Sequence, residues 1–254
     1  MAMLEVNGLS RRFGGLQAVN NVSFKVQEGS IKALIGPNGA GKTTLFNLIS
    51  GFIAPDSGVV NFLGHNIHGL RPFKIAGKGV ARTFQHIKLF PGMTALENVM
   101  VGRHTHSRAG FWAGMLCLPR TWKEEKSIRT KALEIMGFLG IDHLADLDAV
   151  SLAYGQQRIV ELARALACGP RLLLLDEPAA GLNMRETADM SALIGRIKGM
   201  GVTVLLVEHD MSLVMNISDE ILVLSYGEKI ADDMPGAVQK NSEVIRVYLG
   251  EEDA

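Results

Sequence analysis

The sequence has few cysteines and no excess charge of either sign, and both shortages exclude classes of protein. Only two of the 254 residues are cysteines, Cys117 and Cys168, which is too few for a disulfide scaffold or a zinc site. Lysines and arginines number 26, as do aspartates and glutamates, so the formal net charge is zero. Nucleic-acid-binding domains are usually basic, with the charge clustered, so no nucleic-acid partner is expected.

Long hydrophobic runs are also missing. No stretch reaches the roughly 18 consecutive apolar residues that a membrane-spanning helix needs, and the first residues carry no apolar signal-peptide core. Hydrophobic residues still make up 47% of the chain, enough for a full core without disulfides or metals. We therefore expect a cytoplasmic protein that reaches a membrane only through a partner.

The most informative stretch is a glycine-rich segment between a predicted strand and a predicted helix. It reads Gly36-Pro-Asn-Gly-Ala-Gly-Lys-Thr-Thr44 and fits the phosphate-loop pattern G-x-x-x-x-G-K-[ST] at every fixed position. Residues 30–35 precede it as an apolar strand, and apolar residues follow it at helical spacing. The residues predicted to bind a nucleotide's phosphates are Gly36, Asn38, Gly39, Ala40, Gly41, Lys42, Thr43 and Thr44.

Two side chains of this loop have specific predicted roles. Backbone N–H groups of the loop and of the following helix would face the polyphosphate. Lys42 would reach the β and γ phosphates, and the Thr43 hydroxyl would ligate Mg²⁺. The pattern therefore predicts a polyphosphate and Mg²⁺ as ligands.

Two further apolar strands end on candidate catalytic residues. Four leucines in residues 171–178 predict a strand buried on both faces, which ends on Asp176 and Glu177. Carboxylates beside an apolar strand need a cation or another partner, so we expect Asp176 to hold Mg²⁺ through water and Glu177 to act on the attacking water. Residues 202–207 predict another buried strand, which delivers His209 to the same sheet edge to bond a γ-phosphate or orient water.

Phe13 and Gln85 carry weaker signals. Phe13 lies in a polar turn, where its ring can either stack on a nucleobase or pack under a hairpin, and the local sequence leaves both interpretations open. Residues 79–85 predict a strand that ends on Gln85, whose amide can ligate a hard cation and sense what occupies the site.

A helical insertion is predicted after Gln85. Thr94 and Glu97 form a capping-box pattern before a helix over residues 95–101, and residues 122–139 predict a second, amphipathic helix. Exposed aromatic side chains in this insertion would indicate a partner surface, and a small local core is the alternative. A third helix opens at a glycine-containing turn in residues 151–166, giving a second helix N-terminus suited to anions.

Taken together, these stretches resemble the ATP-binding subunits of ABC transporters over nearly the whole chain. The matched positions are the phosphate loop, the adenine-stacking aromatic Phe13, the Q-loop glutamine Gln85, the signature segment Leu152-Ala-Tyr-Gly-Gln156, the Walker B aspartate Asp176, the general base Glu177, the D-loop 180–183 and the switch histidine His209. The resemblance implies nucleotide contacts for Tyr154, Gly155 and Gln156, and a metal contact for Gln85.

The family resemblance also implies an architecture. We expect an α/β fold consisting of a P-loop NTPase core with a mostly parallel sheet, an antiparallel β subdomain and a helical subdomain. Within a single ABC ATPase domain over residues 1–254, residues 1–85 and 165–254 would form the core with the β subdomain. Residues 86–164 would form the helical subdomain that carries the signature segment.

Finer features resemble the ATPases of branched-chain amino-acid importers, the LivG type. They include residues 90–104 and the segments Glu-Pro-Ala-Ala-Gly-Leu-Asn and Val-Glu-His-Asp-Met. This implies an ATP-hydrolysing subunit on the inner face of the membrane, bound to importer membrane subunits and served by a periplasmic solute-binding protein. A second copy or a sister ATPase would complete a head-to-tail dimer, with ATP between the phosphate loop of one subunit and the signature segment of the other.

Other functions within the family have a similar core. A lipopolysaccharide-type exporter and a urea or amide importer are the alternatives. An ABC ATPase of DNA repair or translation is disfavoured because the chain has no duplicated half and no long heptad run. A purely nucleotide-sensing module is disfavoured by the intact Glu177 and His209.

The chain departs from the family pattern at two positions. Ala153 stands where the signature segment usually has serine, and Asn183 stands where the D-loop usually ends in aspartate. The family roles of those two side chains are therefore not carried over.

Overall fold

The computed structural model describes residues 2–103 and 119–249. The chain forms two compact units, the first of Met1–Arg82 with Arg171–Ala254 and the second of Thr83–Pro170. The sequence placed the later boundary at 164/165, which would cut through a helix that the second unit contains whole. The chain returns to the first unit only after that helix has ended.

Within the described residues, the first unit holds two β-sheets. The strands are β1 (Ala2–Phe13), β2 (Leu16–Gln27), β3 (Ile31–Ile35), β4 (Ser57–Phe62), β5 (His65–Asn66), β6 (Val80–Arg82), β7 (Leu172–Asp176), β8 (Thr203–Val207), β9 (Glu220–Ser225) and β10 (Glu228–Asp233). One sheet has the order β2-β1-β4-β5 and is antiparallel. The other has the order β10-β9-β3-β8-β7-β6 and is parallel except at β10.

Helices connect these strands and build the second unit. The described α-helices are α1 (Lys42–Ile49), α2 (Pro72–Ala76), α3 (Ala95–Gly102), α4 (Pro119–Leu139), α5 (Tyr154–Ala167), α6 (Met184–Gly199), α7 (Met211–Ile217), α8 (Pro235–Val238) and α9 (Ser242–Leu249). Helices α3, α4 and α5 belong to the second unit, together with two short 3₁₀ turns.

The three central strands of the parallel sheet are almost wholly apolar. Every residue of β3, β7 and β8 is buried, as expected for strands covered on both faces. In the sheet register, Val207 at the end of β8 pairs with both Leu34 of β3 and Asp176 of β7. The three strands therefore end level with one another, and the segments that follow them emerge at one edge.

The antiparallel sheet shows the alternation that the sequence predicted. Leu4 and Val6 of β1 and Val22, Phe24 and Val26 of β2 are buried. Of the residues between them, Lys25 is exposed and Glu5 and Ser23 are half-buried. The buried side chains share one hydrophobic core with α1 and the parallel sheet. The phosphate-loop segment is therefore anchored on both sides by the core.

The strand predicted over residues 79–85 is shorter than expected. Pairing with β7 ends at Arg82 opposite Leu174, and Gln85 lies in a bend three residues beyond β6. The carbonyl groups of Phe84 and Gln85 accept hydrogen bonds from Arg158. Beyond Arg82, these carbonyl groups therefore bond a side chain and not a neighbouring strand.

The second unit begins as the sequence predicted. Thr94 and Glu97 form the capping box that starts α3, with each side chain bonded to the other's backbone N–H. At the other end of α3, Gly102 is buried, and a Cβ there would collide with the carbonyl oxygen of Arg164 on α5. Helices α3 and α5 therefore pack with their backbones in close approach.

Some sequence-based expectations lie outside the described residues. They concern the aromatic side chains Phe111 and Trp112 of the predicted insertion, and Cys117. Among the described helices, none combines the length and apolar character required to cross a bilayer.

We predict opposite effects for alanine at two helical glycines of the second unit. Gly102→Ala will lower the free energy of unfolding by at least about 2 kcal/mol, because the added methyl group meets α5 backbone. Gly137→Ala, at an exposed position of α4 with open space around it, will raise it by about 0.5–1 kcal/mol, because alanine favours helix. Urea unfolding of both variants measures this, and equal effects would contradict the close packing.

Candidate functional site

The phosphate-loop segment lies between β3 and α1, as the sequence predicted. Gly36 and Gly41 both adopt positive φ angles, 150° and 97°, and a side chain at either position would collide with a backbone carbonyl, that of Leu224 or Ala18. Glycine is required at both ends of the loop because neighbouring backbone fills the space. Between them, Asn38 and Gly39 are exposed and Ala40 is buried.

Lys42 is folded into the bend of this loop. Its ammonium donates to the carbonyl oxygens of Gly36 at 2.6 Å and Pro37 at 2.9 Å. Burial lowers the pKa of Lys42, and the negative charge of Glu177 opposes that shift. The two hydrogen bonds use two of the three ammonium N–H groups. Thr43 is exposed and Thr44 is half-buried in the first turn of α1, where backbone N–H groups lack helical partners.

Asp176 is a buried carboxylate with a cationic partner that the sequence did not reveal. The residue is 4% exposed, and its Oδ2 accepts from the guanidinium of Arg82 at 2.8 Å. Arg82 also donates to Asn47 and Ser50, each at 2.7 Å. An arginine at the end of an otherwise apolar strand was the available signal, but sequence alone gives no pairing between strands.

Glu177 and His209 are brought into direct contact. Glu177 Oε1 lies 2.8 Å from His209 Nε2, at side-chain exposures of 15% and 45%. Glu177 takes a left-handed backbone conformation, with φ at 49°, which strains a residue with a side chain. Its N–H donates to the carbonyl of Val207 at 3.0 Å. The parallel sheet therefore places the predicted base and the predicted switch histidine side by side.

Phe13 occupies the last position of β1, before the glycine turn to β2. The residue is 42% exposed, so it is not packed under the hairpin, and the guanidinium of Arg11 lies 5.0 Å from the ring centroid. Arg11 is in turn paired with Asp56. An exposed ring beside a cation is suited to stacking against a planar base.

Four predicted site residues lie in the second unit. The carbonyl of Gln85 is held by Arg158 at 2.7 Å, while the Gln85 residue is exposed. Tyr154 is 46% exposed and its hydroxyl accepts from Arg158 at 3.1 Å. Gly155 and Gln156 are half-buried in the first turn of α5, so these residues stand at a helix N-terminus, as predicted.

The two positions that depart from the family pattern have clear structural settings. The N–H of Ala153 donates to the side chain of Gln156 at 3.2 Å, which helps to start α5. Asn183 is the N-cap of α6, and its side chain accepts from the N–H groups of Arg185 and Glu186 at 3.0 Å. Asparagine caps a helix as well as aspartate does, so the substitution keeps this role without a negative charge.

The donor set at the sheet edge suits a hard divalent cation. Hydroxyl and carboxylate oxygens, as on Thr43 and Asp176, are ligands that Mg²⁺ accepts. Within the described residues, no group of three histidine, cysteine, aspartate or glutamate side chains forms a metal cage. Mg²⁺ often binds through few protein ligands while keeping waters and substrate phosphates. The residues therefore fit Mg²⁺ better than a metal ion that is coordinated entirely by protein side chains.

Comparison with known proteins agrees with this arrangement. The ABC transporter family model matches residues 19–180. The chain belongs to the ABC transporter family. It is an ABC-type ATPase, with the α/β fold that the sequence predicted, and the nucleotide is its ligand.

Relatives of similar length carry branched-chain transport names. The chain is 48% identical over 250 residues to the high-affinity branched-chain amino acid transport ATP-binding protein BraF of Pseudomonas aeruginosa, covering 98% of each chain. It is 44% identical over 250 residues to LivG of Escherichia coli K12, also covering 98% of each. The resemblance to the branched-chain type is thereby confirmed.

Solved structures share the fold. The ADP conformation of MJ1267, an ATP-binding cassette of an ABC transporter, aligns with a TM-score of 0.86 at 33% identity, covering 99% of this chain and 100% of the other. The dimeric cassette MJ0796 bound to ADP and phosphate aligns with a TM-score of 0.77 at 25% identity, covering 92% and 99%.

We predict that Arg82→Gln will lower the free energy of unfolding by about 3–5 kcal/mol, because it leaves the Asp176 carboxylate buried without its cation. The matched control is Arg171→Gln, which removes a pair with Glu28 whose side chains are 54% and 48% exposed. That control should cost at most about 1 kcal/mol. Chemical denaturation of both variants compares them, and a small loss for Arg82→Gln would argue against the buried pair.

Proposed function

We propose that ATP hydrolysis by this chain drives the import of branched-chain amino acids through partner membrane subunits. The main support for the proposal is the arrangement at one edge of the parallel sheet, where the strands end level with one another. Lys42, Asp176 and the contacting pair Glu177 and His209 lie at or after the ends of these strands. The substrate class is supported by the names of relatives that match over 98% of both chains.

The nucleotide is held by the first unit. Loop and α1 N–H groups, from Gly39 to Thr44, would bind the β and γ phosphates, and the third ammonium proton of Lys42 would bond a γ-phosphate oxygen. The exposed ring of Phe13 would stack on adenine. Burial of Lys42 strengthens its contact, because charges interact more strongly where water is excluded.

Mg²⁺ would be held by Thr43 directly and by Asp176 through water, and the metal contact of the Gln85 amide stays a prediction from the family resemblance. The ion would supply charge stabilisation to the transferred phosphoryl group. Arg82 already bonds Oδ2 of Asp176, which agrees with an indirect metal contact for this carboxylate.

Hydrolysis would proceed by in-line attack of water on the γ-phosphorus. Glu177 orients the water and accepts its proton, while the bond to the bridging oxygen breaks and ADP leaves. His209 contacts Glu177 through Nε2 and would stabilise the γ-phosphate oxygens. Charge on the transferred group is balanced by Lys42.

A second ATPase subunit would complete the site. Tyr154, Gly155 and Gln156 would face the nucleotide bound by the partner in a head-to-tail dimer, as a second copy or a sister ATPase. The dimeric description of the similar cassette MJ0796 supports this arrangement. We propose that the first unit is the catalytic core with its β subdomain and the second unit the helical subdomain.

The second unit offers a surface for the membrane subunits. Phe90, Met93, Leu147 and Val150 are exposed to between 37% and 50%, and backbone bonds from Ala149 to Met93 and from Ala95 to Leu147 hold their segments together. Clustered exposed apolar side chains mark protein contacts. We place the membrane-subunit contact here, on the cytoplasmic side, with a periplasmic binding protein delivering the solute.

We predict that Glu177→Gln will bind ATP with affinity within about threefold of wild type while turnover falls by about 10²–10⁴-fold. The amide keeps the shape of the side chain but cannot accept the proton, so the ATP-bound dimer should accumulate on gel filtration. Glu28→Gln, at an exposed position, is the matched control. Undiminished hydrolysis in Glu177→Gln would remove this residue from the role of base.

We predict that Lys42→Ala will weaken ATP binding by at least about tenfold, because a charge-assisted hydrogen bond to phosphate is lost. Calorimetry with Mg²⁺ and ATP measures the affinity. Unchanged affinity would contradict the phosphate-loop assignment.

The transport proposal is tested by reconstitution with the membrane subunits in vesicles. ATP-driven uptake of leucine, absent with Glu177→Gln, is the expected result. Uptake of urea or amides in place of leucine would contradict branched-chain amino acids as the substrate class. Co-purification with lipopolysaccharide-export subunits would contradict a role in import.

A further inference from the structure

Glu208 is a buried carboxylate that follows β8 directly, one residue before His209. The residue is 4% exposed. Its Oε1 accepts from the N–H of Ala179 at 2.8 Å, and its Oε2 accepts from the N–H groups of His209 at 3.0 Å and Asp210 at 3.5 Å. The carboxylate is therefore surrounded by backbone donors.

These hydrogen bonds join two different loops. Ala179 lies two residues after Glu177 on the segment that leaves β7, while His209 and Asp210 lie on the segment that leaves β8. The tie supplements the backbone bond from Glu177 N–H to Val207. Glu208 thus fastens the loop that carries the base to the loop that carries the histidine.

We propose that Glu208 is a positioning residue for ATP hydrolysis, which holds Glu177 and His209 in contact by tying their loops through both carboxylate oxygens. The inference rests on the proposed function, in which that pair acts on the attacking water. Small displacements at such a site have large effects, because reacting groups must be held to within about 0.5 Å.

The chemistry of the site calls for a carboxylate at this position. Backbone N–H groups from both loops need acceptors, and an ionised carboxylate offers two acceptor oxygens and no donor. An amide would turn an NH₂ group toward one loop's N–H groups and lose that side of the tie. Burial raises the pKa of Glu208, and the hydrogen bonds from Ala179, His209 and Asp210 oppose the shift.

Asp219 provides a matched control at the opposite end of the sheet. Its Oδ2 accepts from the N–H of Ile31 at 2.7 Å, at the first residue of β3, and it pairs with Lys198. It is likewise a carboxylate that ties neighbouring strand ends, but it lies where the parallel strands begin. Replacing it with asparagine removes a tie of the same kind away from the catalytic residues.

The first test compares steady-state ATP hydrolysis by the full-length chain. We expect Glu208→Gln to lower kcat by about 100-fold while KM for ATP stays within about twofold, since the phosphate loop is untouched. Glu208→Asp, which keeps both oxygens on a shorter stem, should lie between this variant and wild type. Asp219→Asn should keep both constants within about twofold even where it lowers the melting temperature.

The second test reads the geometry without nucleotide. Nitrogen-15 NMR of the histidine side chains, with His209 assigned by His209→Gln, reports the contact of its Nε2 with Glu177. We expect this signal to move toward that of a solvent-exposed histidine in Glu208→Gln and to stay unchanged in Asp219→Asn.

The outcomes separate this inference from the proposed function. A wild-type chain without ATP hydrolysis would contradict the proposed function, and the NMR comparison would still test the tie. An unmoved His209 signal in Glu208→Gln, or a kcat within threefold of wild type, would overturn the positioning role. If Glu208→Gln fails to fold, Glu208→Asp decides by the same readouts, with wild-type values overturning the inference.

Discussion

The buried ion pair between Arg82 and Asp176 is the interaction on which the catalytic edge depends most. Their side chains are 7% and 6% exposed, and either charge alone at that depth would be strongly unfavourable. The same guanidinium bonds Asn47 in α1 and Ser50 at its end. One side chain therefore joins the strand before the second unit, the strand that carries the acidic pair and the helix that follows the phosphate loop.

Local sequence predicted the elements of the site well, because its strongest signals are local. Four leucines mark β7 as buried on both faces, and the glycines at Gly36 and Gly41 mark a loop whose neighbours leave no room for a side chain. The ion pair of Arg82 was not predicted because its partner, Asp176, lies 94 residues away along the chain. Only the order of the strands in the sheet brings the two side chains together. The end of β6 was misplaced for a related reason, since Arg158 rather than a strand binds the carbonyls beyond it.

The second unit depends on its own buried charges. Arg158 and Glu161 have side chains that are each 3% exposed, and Arg164 lies beside them on α5. Burial raises the pKa of Glu161, while the two arginines and the N–H groups of Lys88 and Phe84 oppose the rise. Arg164 donates to the carbonyl of Lys88. Arginine side chains of α5 thus hydrogen-bond to the backbone carbonyls of the segment around Gln85. These bonds fix the path of the segment independently of its own side chains.

The left-handed backbone at Glu177 has a consequence for how this chain can change under selection. That conformation disfavours any residue with a Cβ by about 1 kcal/mol or more, whereas glycine adopts it freely. Selection for heat resistance alone would thus favour glycine there, at the loss of the carboxylate. Variant libraries of this chain that are selected for thermal stability alone will therefore become enriched in inactive variants, unless ATP hydrolysis is measured as well. At residue 177, stability favours glycine and catalysis requires glutamate.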